Sequence, residues 1–358
     1  MRSRKTALQI AASAVVLVVA LVVGGAMILG PLAGGGPSAS PSPSRSTTAW
    51  ASLVASANRT PGTTAAATAT VGPTLSPTPS PTESAAPSVS ESPVLPSLLG
   101  AIGDSYSQGY NVSPQHRYDN PAFSWVVGSS RGDGVYSVRE RLAALGARFA
   151  VVDAATSGKK MNDAPRQATT VVAAARKLGA GQTAYVTFEL GTNDLCDDAK
   201  TDPADFEAQL VAAISILRGG LPPGSRILML PIPDFDHFRS ITQGDSQALA
   251  ALSLDVNSRD CAPFLGSNGP RTVDEAMAAM AAYDSILQKA CEGIESTDGA
   301  AGRLHCRTDQ ALLSERDFEI RDLSTVDYFH PSISGQAKIA AAAWNAGDWA
   351  AIKLPAGG

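Results

Sequence analysis

Aromatic residues make up only 6% of this 358-residue chain, and histidine occurs four times, so any functional imidazole is one of four. Cysteine is equally scarce, at four, and no two stand as C-x-x-C. That absence argues against a zinc site, and no metal is expected. The folded part has no cluster of lysine and arginine. Residues before position 98 hold five of the 28 bases and two of the 33 acids, so the remainder carries −8 against −5 for the whole chain. An acidic domain without a basic patch is a poor partner for nucleic acid. No internal repeat is visible. Between residues 35 and 97 only Arg45, Arg59, Glu83 and Glu91 are charged, and large apolar side chains besides Trp50 are few. Such a segment cannot bury enough surface to offset its conformational entropy, and a disordered tether is expected.

The N-terminus does have an apolar run, from Ala7 to about Leu32, preceded by Arg2, Arg4 and Lys5. A secretory signal has an apolar region of about 7–15 residues. This one is nearer the ~20 needed to cross a bilayer, and the basic tip assigns its N-terminal side to the cytoplasm. The expected organisation is a cytoplasmic tip and signal-anchor over 1–34, the tether over 35–97, and a folded domain over 98–358 outside the cytoplasm. The alternative is a long signal peptide cut near Ser38-Ala39-Ser40. No cysteine follows the run, which excludes a bacterial lipoprotein anchor.

Beyond residue 97 short apolar runs alternate with helical patterns. Leu98–Ile102, Phe149–Asp153, Ala184–Leu190 and Arg226–Leu230 read as interior strands, with a less regular approach through Phe318-Glu319-Ile320. Residues 135–145, 164–178, 203–217, 272–291 and 334–349 carry apolar side chains at three- and four-residue spacing. Alternation of this kind predicts a parallel sheet with helices on both faces. The expected fold is an α/β three-layer sandwich around a flavodoxin-like sheet of about five strands.

Each strand-end loop carries a chemically suggestive group. Gly103-Asp104-Ser105 follows the first strand, Ser157-Gly158 the second, Gly191-Thr192-Asn193-Asp194 the third, and Asp327-Tyr328-Phe329-His330-Pro331 comes near the end. Acyl transfer needs a nucleophile, a base, a group that orients the base, and donors for the oxyanion. Ser105, His330 and Asp327 supply the first three; Ser105 N–H, Gly158 N–H and the Asn193 amide supply the donors. Asp104 and Asp194 are expected to support their loops through backbone amides. His116, His237 and His305 are read as structural. Gly128-Ser129-Ser130-Arg131-Gly132 fits the G-x-S-x-G elbow of another hydrolase fold, but only one strand precedes it in the folded part, so Ser130 is set aside.

At these four blocks the chain resembles the SGNH (GDSL) hydrolase superfamily, over roughly residues 98 to 349. Longer matches, Phe123–Gly128, Ala155–Gly158 with Pro165–Ala168, and Gly191–Cys196, resemble its phospholipase-B-like branch. Tyr106 and Ser129-Ser130 depart from that pattern. The resemblance implies a serine esterase or lipase that cleaves carboxylic esters without a cofactor. Its substrate would be a small-molecule or lipid ester, and its catalytic domain a monomer joined to the membrane through the N-terminal segment. An acetylesterase acting on cell-wall or environmental polysaccharide is the second reading, and a non-catalytic cell-surface binding module is the rival of another class. For an exported domain the four cysteines suggest two disulfides. Three pairings are formally possible, and Cys291–Cys306 with Cys196–Cys261 is the one expected.

Overall fold

The computed structural model describes residues 94–129, 132–196, 201–254, 272–309 and 318–354. The expected signal-anchor and nearly all of the tether lie outside them, as do Ser130 and Cys261. Among the described residues no helix is long and apolar enough to cross a membrane.

Five strands form one parallel sheet: β1 Leu98–Gly103, β2 Ala150–Asp153, β3 Ala184–Glu189, β4 Ser225–Met229 and β5 Leu304–Arg307. Their order is β2-β1-β3-β4-β5, and every neighbouring pair is parallel. β1 and β3 are buried at all six positions, as befits central strands covered on both faces. This is why they read as continuous apolar runs. Ser97 already ties in the start of β1, donating to Thr183 O and accepting from Ala150 N.

Helices begin where the sequence supplies caps. Ser137 and Glu140 form a capping box at the start of α1 (Val138–Ala144), and Thr272 and Glu275 form another ahead of the 22-residue helix over Val273–Ile294. In chain order, α2 is Ala164–Ala175, α3 Thr192–Cys196, α4 Pro203–Gly220, α5 Phe235–Gln243, α6 Ser246–Leu254, α7 Val273–Ile294 and α8 Ile333–Ala346. The Asp202 side chain caps α4 with Pro203 in its first turn, and Ser332 caps α8. α2, α4 and α7 pack together on one face of the sheet, while α1 and α8 pack against each other. That split follows from right-handed crossovers, because the chain winds outward from β1 to β2 and then back past β1 to β3.

The sequence reading placed the last strand wrongly. Phe318-Glu319-Ile320 is not a strand: Phe318 O meets His237 Nε2 at 3.0 Å, Glu319 N donates to Asp322 Oδ2, and a 3₁₀ turn covers Ile320–Asp322. Backbone groups engaged in this way cannot join a ladder. The fifth strand is instead Leu304–Arg307, an edge strand with only two buried residues. Helices α5 and α6 were also missed.

Cys291 on α7 is bonded to Cys306 on β5, with Cα atoms 5.2 Å apart. Cys196 is disulfide-bonded too, and its expected partner Cys261 lies outside the described residues. The Cys291–Cys306 bond spans 15 residues. Replacing both cysteines by alanine is expected to lower the unfolding free energy by about 3 kcal/mol, through the freedom regained by the unfolded chain. Urea denaturation at neutral pH measures this, and an unchanged midpoint would refute it.

Candidate active site

The strand order reverses direction at β1, and the loops after β1 and β3 lie side by side at the C-terminal rim. Ligands of open α/β sheets bind at such a switch point. The register pairs Gly103 with Glu189, so Ser105 and Asn193 leave the sheet from adjacent strands at almost the same level. Immediately after β1 the chain turns sharply: Gln108 N and Tyr110 N both donate to Ser105 O. Gly103 cannot carry a side chain here, since a Cβ would lie 2.3 Å from Ser107 Oγ.

Ser105 Oγ lies 3.0 Å from His330 Nε2, and His330 Nδ1 lies 2.9 Å from Asp327 Oδ2. All three residues are buried. Asp327 is held by more than the imidazole. Its Oδ1 accepts the backbone N–H groups of Phe329 and His330, and its Oδ2 accepts Asn111 Nδ2 at 2.7 Å. Burial pushes the Asp327 carboxyl up, but the His330 charge and these hydrogen bonds outweigh it and hold the group below the ordinary carboxylate range. An anionic Asp327 can only accept, so Nδ1 carries the proton and Nε2 is left to accept from the serine hydroxyl. Tyr106 and Phe329 back the ring at centroid distances of 6.0 and 5.0 Å, and Tyr110 covers it at 4.7 Å.

On the other side of Ser105 the second and third loops are stitched together. Gly158 takes a left-handed turn (φ 75°) in which Lys159 N donates to Thr156 O, and a Cβ there would meet nothing within 4 Å. Thr156 N donates to Gly103 O, which fastens this turn to the end of β1. Asn193 Nδ2 donates to Asp104 Oδ2 at 3.0 Å and to Lys159 O at 2.9 Å. Asp194 Oδ2 accepts Met161 N at 2.8 Å, so it supports the Gly158 loop and not only its own. Asp104 Oδ1 accepts Tyr106 N at 2.9 Å, the backbone role expected of it. Ser105, His330, Asp327, Gly158, Asn193, Asp104 and Asp194 thus come together at one rim. The remaining histidines are elsewhere: His116 meets Ser113 Oγ, His237 meets Phe318 O, and His305 pairs with Glu295.

A family model described as GDSL-like Lipase/Acylhydrolase matches residues 99–343. The chain belongs to this family. Among solved structures it is similar to TesA, at 17% identity and TM-score 0.41 over 70% of this chain and 97% of that one. An esterase, EstA, from Pseudoalteromonas sp. is 15% identical at TM-score 0.40, covering 70% and 96%. An acetyl xylan esterase from Geobacillus stearothermophilus is 16% identical at TM-score 0.39, covering 70% and 93%. A comparison with curated proteins returns no match. The family chemistry is ester hydrolysis, and the chain is a serine ester hydrolase of the GDSL type.

Three residues in this GDSL site escaped the sequence reading. Asn111, at left-handed φ 53°, braces Asp327 and receives Ser324 Oγ on its carbonyl. Gln167 on α2 accepts Gly103 N at 2.8 Å and donates to Gly103 O at 3.0 Å, which locks the peptide just ahead of Asp104. Glu189, the last residue of β3, accepts Ser107 Oγ at 2.9 Å and hydrogen-bonds Asp104. Asn and Gln of this kind have no local signal, since their partners are 64 to 216 residues away. Glu189 did carry one: it is a carboxylate at the end of an otherwise buried apolar strand.

Burial raises Asp104 to about 7, and burial together with the neighbouring Asp104 carboxyl raises Glu189 well above its ordinary value. Two carboxyls in contact away from water cannot both ionise at little cost, so they share a proton. A group protonated more readily in the fold than in the unfolded chain stabilises the fold fully below the unfolded value of 3.8, and that contribution is lost as pH rises through about 7. Glu189→Gln retains an acceptor for Ser107 and offers Asp104 an N–H. The unfolding free energy of the wild type is therefore expected to fall from pH 4 to pH 7 more steeply than that of Glu189→Gln. Parallel slopes in chemical denaturation across this range would refute the shared proton.

Proposed function

We propose that Ser105, His330 and Asp327 act as nucleophile, general base and orienting carboxylate in the hydrolysis of carboxylic esters through an acyl-enzyme. The observation that carries this reading is the buried chain of contacts from Ser105 Oγ to His330 to Asp327. In this mechanism Nε2 takes the serine proton as Oγ attacks the ester carbonyl, and returns it to the departing alcohol. Water then repeats the sequence on the acyl-enzyme. The oxyanion donors are Ser105 N–H, Gly158 N–H and Asn193 Nδ2. Both Asn193 amide hydrogens already have acceptors, so Asn193 serves the oxyanion by loosening its bond to Asp104, which is weakest while Asp104 holds the shared proton. With family membership and a joined Ser-His-Asp set, nothing favours a non-catalytic binding module.

The domain is proposed to work outside the cytoplasm as a monomer, held by the apolar run Ala7–Leu32. The Cys291–Cys306 bond supports this, because such bonds persist mainly in oxidising compartments. The resemblance to the phospholipase-B-like branch puts fatty-acyl esters first among substrates, and acetyl esters of polysaccharide second.

Ser105→Ala is expected to abolish turnover of p-nitrophenyl acetate while leaving the thermal midpoint unchanged. Asn193→Ala should lower kcat about 10²–10³-fold with little change in KM, as loss of one oxyanion donor does. A raised KM at unchanged kcat would make Asn193 a substrate-binding residue instead. For location, the full chain should fractionate with membranes, and recovery from the medium with a new N-terminus near residue 40 would establish a cleaved signal.

A further inference from the structure

Among the described residues the exposed large apolar side chains are Val94, Tyr118 and Leu249, and Tyr118 is linked to Asp327 and His330 through Asn111 and Tyr110. It is 69% exposed, yet it is held firmly. Its backbone is left-handed (φ 62°), a conformation that bulky residues seldom adopt and that persists only where the surroundings enforce it. Three hydrogen bonds do so: Tyr118 N to Asn111 Oδ1 at 2.8 Å, Asn111 N to Tyr118 O at 3.0 Å, and Asn120 Nδ2 to Tyr118 O at 2.7 Å. Asn111 is the residue that braces Asp327. On the far side, Asp119 Oδ1 accepts Ser157 Oγ, next to Gly158. The segment carrying Tyr118 is thus fastened to both the imidazole side and the oxyanion side of the nucleophile. Its ring meets Tyr110 edge-on at 6.3 Å, and Tyr110 in turn covers His330 at 4.7 Å.

This placement bears on which part of an ester the ring would meet. His330 must return its proton to the leaving oxygen, so the alcohol portion departs along the imidazole, which Tyr110 covers with Tyr118 beside it. We propose that Tyr118 is a stacking platform for a sugar ring, so that the alcohol part of the substrate is a carbohydrate hydroxyl. An open aromatic face, flanked in the chain by the polar residues Arg117 and Asp119, suits a pyranose, which offers a flat C–H face and a rim of hydroxyls. A fatty alcohol would gain little from one ring that leaves most of its length in water, and glycerol is too small to cover it. The proposal rests on the ester hydrolase reading of Ser105 and selects the polysaccharide-ester branch of it.

The test compares kcat/KM for methyl glucopyranoside tetra-acetate with that for ethyl acetate, which has no ring to stack. Tyr118→Ala is expected to lower the ratio of the two about tenfold through KM, whereas Tyr118→Phe and Tyr118→Trp keep it. An unchanged ratio in Tyr118→Ala, or an equal loss in Tyr118→Phe, overturns the proposal. So does a selective loss on trilaurin, which would assign the ring to lipid. A wild type that cleaves ethyl acetate through Ser105 but not the sugar acetate overturns the platform alone. A wild type inactive on both acetates but active on trilaurin also overturns the platform, and one inactive on all three overturns the hydrolase reading beneath it.

Discussion

The parallel pairing of β1 with β3, in a register that sets Gly103 opposite Glu189, is the constraint on which the rest of the site depends. Backbone ladders fix height along a strand far better than side-chain contacts do, and here the ladder sets the levels of Ser105 and Asn193 together. The same register brings a strand-end carboxylate against Asp104, with both groups buried. The shared proton is a by-product of that geometry, and Ser107 and Asn193 bind the two carboxyls from either side. The arrangement of the donors opposite His330 is therefore set by the sheet itself, while the imidazole is brought in by a loop.

That loop needs support of its own, and its backbone shows how it is obtained. The three non-glycine residues at positive φ among the described residues are Asn111, Tyr118 and Tyr328. They lie in the two segments that converge on the Asp327–His330 pair. Each costs on the order of 1–3 kcal/mol relative to a relaxed backbone. Such conformations persist because the hydrogen bonds around Asp327, together with the packing of Phe329 against Phe235 and Phe238, leave the loops no better alternative. Backbone freedom is thus removed at the residues that hold the Asp327–His330 pair in place.

Much of this was legible in the sequence because its determinants are local. Central parallel strands are apolar on both faces, so Leu98–Gly103 and Ala184–Glu189 stand out as runs, and Asp327 and His330 are close enough in the chain to meet within one turn. The edge strand Leu304–Arg307 was missed because half of it faces solvent and its four residues resemble a polar loop. Phe318-Glu319-Ile320 was mistaken for it because a buried phenylalanine fits either setting. Asn111, Gln167 and Glu189 act across the fold on partners far away in sequence, and no pattern within a window can show that.

Gln167 has a consequence for the shape of the rim. β2 pairs with β1 in register only as far as Asp153 opposite Ala101, and beyond it the chain keeps hold of β1 through Ala154 N to Ala101 O and Thr156 N to Gly103 O. The Gln167 amide gives Gly103 N its acceptor and adds a second donor to Gly103 O beside Thr156 N. One side of the sheet can therefore stop short without fraying the strand that carries Ser105. The Gly158 turn continues from that bonded stretch. The peptide ahead of Ser105 is thereby held from a helix and from the Gly158 loop at once, so neither can shift without being felt at the start of the nucleophile's turn.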